Sequence, residues 1–181
     1  IGGAATLAQA STDPSLSRFT EQRAKANLAR QLNPTSIRMD SLLPAGEPVT
    51  LVLRCRPGFE NILGEELSTL SLPHRITGRK TGWVSVSMPK PFRLSDLYAL
   101  RCFSTLSFLL GTIPKKNDPE AAVAIATALT APLSQRLLAA FTQGPLRYRL
   151  EFVAQGHRRG LVHAVVKKTY DLWPELLNDS R

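Results

Sequence analysis

The clearest constraint on the fold is a change of hydrophobic period within residues 48–113. From Trp83 to Met88, apolar and small polar side chains alternate, which is typical of a half-buried strand. From Phe59 to Leu70, the apolar residues recur at helical spacing with glutamates between them. Leu51–Cys55 indicates an earlier strand, and the sequence Arg56-Pro57-Gly58 ends it. The two periods together predict an α+β unit.

Further elements extend this pattern on the C-terminal side. A short strand is predicted near 75–77, ahead of a basic, Gly-rich turn at 78–82. After Pro89 and Pro91, the spacing of Leu97, Leu100 and Phe108 predicts a second helix, and a last strand follows over 108–113. The order is β-α-β-β-α-β, the split-βαβ or ferredoxin-like pattern. We therefore expect a ferredoxin-like domain over residues 48–115.

The chain on either side of this domain has a different character. Residues 1–47 are predicted to be an N-terminal extension with one basic helix over 16–32. A solvated or docked helix, a basic arm that contacts nucleic acid and a cationic targeting segment are the three interpretations of this helix. Residues 118–181 are predicted to be a second α/β unit. Their expected features are a helix capped by Asp118 and broken at Pro132, a strand over 147–153, a basic turn, and a helix over 161–173.

The charge balance indicates a polyanionic partner. Among 181 residues, 23 are Lys or Arg and 14 are Asp or Glu, so the net charge is +9. A surplus of this size favours nucleic acid first and an acidic membrane surface second. No apolar run approaches the ~18 residues of a spanning helix, so we expect no membrane partner. Two cysteines and three histidines lack metal-ligand spacing, and a cytoplasmic location is expected.

Two basic clusters are the main candidates for phosphate binding. One lies on the 78–82 turn, and Trp83 beside it is a candidate for stacking on a base. The other lies at 156–160, where a helix start would present free backbone N–H groups to a phosphate. The alternative is that the cations are merely solvated and that Trp83 packs in the core. The candidate RNA-binding residues are Arg79, Lys80, Trp83, His157, Arg158, Arg159, Lys167 and Lys168.

No motif in the sequence indicates a reaction. The chain contains no P-loop, no G-x-S-x-G elbow, no H-E-x-x-H and no Rossmann glycine fingerprint. Glu65 and Glu66 are predicted to lie on the solvated side of a helix, and Cys55 and Cys102 to be core thiols. We therefore assign no catalytic residue and no metal site to this chain.

Two short motifs carry a resemblance to a known family. LRCRPGFE at Leu53–Glu60, followed by LGEEL at Leu63–Leu67, resembles the N-terminal region of THUMP-containing RNA methyltransferases. The GWVSV segment and Leu100–Ser104 are similar to later parts of that region. Residues 118–181 resemble the THUMP module, without the closing strands expected of a complete one. The resemblance covers about residues 48–181.

This resemblance implies a module that captures structured RNA, with tRNA favoured and rRNA possible. In this family, a separate class I domain that uses S-adenosylmethionine methylates the RNA, commonly at guanine N2. The present sequence has neither a glycine-rich methyl-donor loop nor a (Asp/Asn)-Pro-Pro-(Tyr/Phe) tetrapeptide. We therefore expect this chain to bind RNA without a cofactor of its own, and the parent enzyme to use S-adenosylmethionine. A stand-alone RNA-binding adaptor and a ferredoxin-like protein-interaction domain are the alternatives, and the oligomeric state is left open.

Overall fold

The computed structural model describes residues 34–89, 91–113, 117–152 and 158–179, together with five residues nearer the N-terminus. The backbone is helical at those five residues, in agreement with the helix predicted over 16–32. They are Thr20, Glu21, Ala24, Lys25 and Leu28. The rest of that prediction lies outside the described residues.

The described residues confirm an α+β protein. Besides the N-terminal helical residues, they contain four α-helices, which are α1 Glu60–Ser68, α2 Asp118–Thr130, α3 Pro132–Phe141 and α4 Arg159–Leu172. The strands are β1 Ser36–Ile37, β2 Val49–Cys55, β3 Arg75–Lys80, β4 Trp83–Met88, β5 Phe103–Phe108, β6 Thr142–Gln143, β7 Arg147–Tyr148 and β8 Leu177–Asn178.

The main sheet has the strand order β3-β4-β2-β5, and every neighbouring pair is antiparallel. One face is apolar and buried. Leu53 and Val84 lie opposite each other on this face, and both belong to the same core as Leu63 and Leu67 of α1. Because side chains alternate along a strand, Trp83 lies on the other face. The alternating pattern of β4 is therefore confirmed as a strand that is covered on one side.

The prediction of a second α-helix in this unit is wrong. Only a five-residue 3₁₀ helix, Ser95–Ala99, forms there, and the last strand is β5 at 103–108 rather than 108–113. The spacing of Leu97, Leu100 and Phe108 fits a helix, but Leu100 has extended backbone and ends the 3₁₀ turn. The alternation over 105–108, where Leu106 and Phe108 are half-buried and Thr105 and Ser107 are exposed, was the stronger signal.

Helix α3 joins the sheet to the C-terminal half of the chain. Its Leu137 and Phe141 are buried in the core of the sheet, where the rings of Phe108 and Phe141 stack with centroids 5.7 Å apart. Leu138 instead packs against the cluster that contains Tyr148. Packing therefore continues across the boundary at 115–118, and the division of the chain into three parts stays a prediction.

Several predictions for the C-terminal half are confirmed, and two are corrected. The helix breaks at Pro132, and α2 and α3 are bent by 49°. The cap of α2 is Asn117 rather than Asp118, because the Asn117 side chain accepts the Glu120 N–H. The predicted strand over 147–153 is shorter: β7 ends at Tyr148 and pairs in parallel with β8.

No single described helix has the length and hydrophobicity of a membrane span. Helices α2 and α3 pass that test together, by length and composition, as a bent pair.

Candidate nucleic-acid interface

The first basic cluster lies on a tight hairpin. Strands β3 and β4 are joined by Thr81-Gly82, and Lys80 pairs with Trp83 across the turn. The turn is held against the start of α1 by Glu60, whose Oε1 accepts the Gly82 N–H at 2.5 Å. Both carboxylate oxygens of Glu60 also accept the Gly58 N–H at 3.1 Å. The hairpin is therefore positioned by a carboxylate of the helix that packs beneath it.

The structure corrects the expectation that the glutamates of α1 merely face water. Glu65 is exposed, but Glu66 Oε2 accepts the N–H groups of Arg101 and Cys102, each at 3.0 Å. Partial burial alone would raise the pKa of Glu66, but these hydrogen bonds outweigh it and lower the pKa. Glu60 and Glu66 therefore fasten two loops to α1 and are not available as free acids.

Arg79 and Lys80 do not act as one cluster, because consecutive strand residues face opposite sides of the sheet. Arg79 lies toward α1, where its Nη1 donates to Asn61 Oδ1 at 3.2 Å. The guanidinium of Arg79 crosses α1 at Gly64. If residue 64 carried a β-carbon, that atom would lie 2.5 Å from Nη2 of Arg79, which is too close. The LGEEL motif thus leaves room for an arginine that packs along the helix.

Lys80 and Trp83 lie together on the opposite, open face. The Lys80 Nζ is 5.3 Å from the centroid of the Trp83 ring, which is within cation–π range. Lys80 is exposed and Trp83 is half-buried. Trp83 therefore lies outside the core, and a planar ligand can reach it from the open side.

Arg158 in the second cluster is already engaged. It forms an ion pair with Asp118 at the start of α2, and its guanidinium lies 6.0 Å from the centroid of the Phe152 ring. The ion pair holds the N-terminal end of α4 against α2, so Arg158 has a structural role in this arrangement. His157 lies outside the described residues.

Helix α4 presents the remaining candidates. Arg159, Lys167 and Lys168 are exposed, and none forms an ion pair with a carboxylate of the described residues. Arg159, His163 and Lys167 follow each other at intervals of four residues, so they share one side of the helix. Asp171 lies one turn beyond Lys167 and ends this stripe.

The structure places five of the eight candidates in two groups, while Arg79 and Arg158 are engaged by other residues and His157 lies outside the described residues. Lys80 and Trp83 belong to the open sheet face, and Arg159, Lys167 and Lys168 belong to α4, which packs in separate hydrophobic clusters. Sequence reasoning missed Arg54 and Arg75, which share the open face because they pair with Trp83 and Ser87. Their alternation with apolar residues in β2 and β3 was the available signal.

The thiols and the buried hydroxyls show no arrangement for a reaction. Burial raises the pKa of Cys55, helped by the charge of Glu60, and the pKa of Cys102 is raised by desolvation and by Glu66. Burial also raises the pKa of Tyr148 to about 12, and the nearby Thr169 hydroxyl partly opposes that shift. Within the described part of the chain, no three His, Cys, Asp or Glu side chains converge as metal ligands would.

Comparison of the chain with protein families, with curated proteins and with solved structures found no match.

Proposed function

We propose that this chain is an RNA-binding module that captures structured RNA, tRNA or rRNA, for a class I methyltransferase of the guanine-N2 type. The observation that carries the proposal is the set of exposed cations on α4, Arg159, Lys167 and Lys168, which have no carboxylate partner among the described residues. Cations left unpaired in this way supply affinity for phosphates without reading sequence.

The arrangement of the sheet also supports the proposal. Strands β2 and β3 are both antiparallel to β4, which lies between them, so β2 and β3 run parallel. Two parallel strands on either side of a third match the split-βαβ pattern that the sequence predicts, and this agreement supports a ferredoxin-like unit. The fold alone does not identify a function, and the proposal depends on the charges rather than on the topology. The methyl transfer itself is assigned to the parent enzyme, whose S-adenosylmethionine would supply the methyl group; no step is assigned to the residues of this chain.

The test is a fluorescence anisotropy titration of labelled, folded tRNA with K167A/K168A. Both lysines are exposed, so the fold should be preserved. If each contacts a phosphate, the double variant binds more weakly, and the slope of log K against log salt falls by ~2.

R38A/R93A is the matched control, because it removes the same formal charge from exposed positions outside α4. Neither Arg38 nor Arg93 forms an ion pair with a carboxylate of the described residues. If both double variants lose the same affinity for tRNA, only net charge matters. That result would contradict the assignment of the site to α4.

A further inference from the structure

One row of side chains crosses the open face of the main sheet. Lys80 of β3 pairs with Trp83 of β4, Trp83 pairs with Arg54 of β2, and Arg54 pairs with Thr105 of β5. Residues directly opposite in antiparallel strands project to the same face. The row therefore places an indole between two cations, and a hydroxyl completes it at the far edge.

The row is accessible, and small side chains surround it. Lys80, Arg54 and Thr105 are exposed. The next row holds Ser85, Val52 and Ser107, so no side chain larger than valine stands beside the indole in that row of the sheet. Helix α1 covers the opposite face, through Leu63 and Leu67. A flat ligand can therefore lie on Trp83 without displacing part of the core.

The electrostatics of this face favour an anionic ligand. The cations Arg54, Arg75 and Lys80 project to it, whereas Arg79 lies toward α1, and the four strands contain no aspartate or glutamate. Arg54 and Lys80 form no ion pair with a described carboxylate. The Glu60 carboxylate at the adjoining turn is engaged with the N–H groups of Gly58 and Gly82.

We infer that this row binds one unpaired nucleotide of the RNA, with its base stacked on Trp83 and its flanking phosphates on Lys80 and Arg54. The inference rests on the proposed function, because it assumes that the chain binds RNA. Unpaired bases offer a free π-face to an aromatic side chain, whereas the faces of bases in a duplex are covered by their neighbours. Lysine carries its charge on a flexible stem. Lys80 can therefore move off the Trp83 ring and contact a phosphate while the base stacks on that ring. The open sheet face therefore selects loops or single-stranded ends, and the cations of α4 bind phosphates generally.

The experiment uses the full chain and two RNA probes with equal numbers of phosphates, a labelled oligouridylate and an RNA duplex. In a W173F background, Trp83 is the single tryptophan, and we expect the oligouridylate to quench its fluorescence more than the duplex does. By anisotropy, W83L should bind the oligouridylate about fivefold or more weakly and leave duplex affinity unchanged. W83F, which keeps an aromatic ring, should retain most of the affinity.

Control variants separate stacking from general effects. Y98L removes an aromatic ring that is 69% exposed on the 3₁₀ helix and should change neither affinity. K80A should slightly lower the affinity for both probes, because one phosphate contact is lost. If W83L binds both probes as the wild type does, the stacking site is wrong, while duplex and tRNA binding through α4 still support the proposed function. If the wild type binds neither probe at low salt, the proposed function is contradicted as well.

Discussion

The Glu60 carboxylate joins the first turn of α1 to the β3–β4 turn, because its Oε1 accepts the Gly82 N–H at 2.5 Å across 22 positions of sequence. The same carboxylate accepts the Gly58 N–H just before the helix. One side chain thus fixes both the start of the helix and the turn that presents Lys80 and Trp83.

Replacing Glu60 by Gln should lower the melting temperature and change its dependence on pH. Hydrogen bonds from the Gly82 N–H, its own N–H and the Gly58 N–H hold the pKa of Glu60 below its ordinary value of 4.5. A lowered pKa in the folded state means that the stabilisation is fully present above pH 4.5 and is lost as the pH falls through the lower, folded-state value. Thermal melts of E60Q should therefore lose less stability on acidification than wild-type melts. E65Q, at an exposed position of the same helix, should behave like the wild type, and parallel acid profiles for E60Q and wild type would contradict this role.

Two glycines near α1 should respond oppositely to alanine. Gly58 has φ +92 and open space around its α-carbon, so G58A should cost about 1–2 kcal/mol through backbone conformation alone. Gly64 lies in the middle of α1, where alanine gains up to about 1 kcal/mol in helix propensity. The added methyl of G64A displaces only the flexible end of Arg79 and its exposed bond to Asn61. Urea denaturation should rank G64A at or above the wild type and G58A below it; a loss of several kcal/mol in G64A would show that Arg79 cannot move aside.

Replacing Tyr148 by Phe should protect the protein at alkaline pH. Burial raises the pKa of Tyr148 from 10.0 to about 12. The folded state therefore keeps the phenol protonated, and its contribution is complete below pH 10 and is lost as the pH rises toward 12. Between pH 9 and 11, the free energy of unfolding of the wild type should fall by about 1.4 kcal/mol more than that of Y148F. Y98F, at a position that is 69% exposed, is the control for the loss of a phenol. Equal alkaline losses in Y148F and wild type would contradict the burial of this group.

The two halves of the chain should unfold together, because α3 contributes to the cores on both sides. Trp83 lies on the sheet and Trp173 packs against the cluster that contains Tyr148. In each of W173F and W83F, which keep one tryptophan, the urea midpoint from tryptophan fluorescence should equal the midpoint from far-UV circular dichroism of the same variant. Removing the buried Phe141 ring in F141A should lower the free energy of unfolding by about 3–5 kcal/mol. Introduced into each single-tryptophan variant, F141A should shift the transition reported by Trp83 and the transition reported by Trp173. A shift of the Trp83 signal alone would show that the halves unfold independently.

The sequence predicts a helix or strand well where the spacing of apolar residues within that element alone determines which side is buried. The alternation in β4 and the burial of Leu63 and Leu67 in α1 depend only on which side of each element is buried, and both are where the pattern places them. Phe59 and Ile62, which the same helical spacing assigns to the buried stripe, are exposed. The error at 95–108 has a local cause as well. Apolar residues three and four apart mimic a helix there, although residues 105–108 alternate as a strand with one buried face does.

The roles of charged residues could not be predicted in the same way. Glu60, Glu66 and Arg158 are engaged by groups that lie 22, 35 and 40 positions away in the sequence. No local pattern encodes such contacts, because they form only when the loops meet. The same limit applies to the open face: the pairing of Arg54 with Trp83 follows from the register of two strands that lie about 30 residues apart, a register that burial of one face specifies.

The central claim, that the chain captures RNA, is tested most directly by anisotropy of labelled, folded tRNA at two salt concentrations with duplex DNA of equal charge as competitor. The account predicts that tRNA binds with a steep salt dependence and that DNA displaces it poorly. Both polyanions can contact the cations of α4, but only tRNA also offers an unpaired base to Trp83. Equal displacement by DNA would contradict the account, since the surplus of +9 would then act as a non-specific polycation.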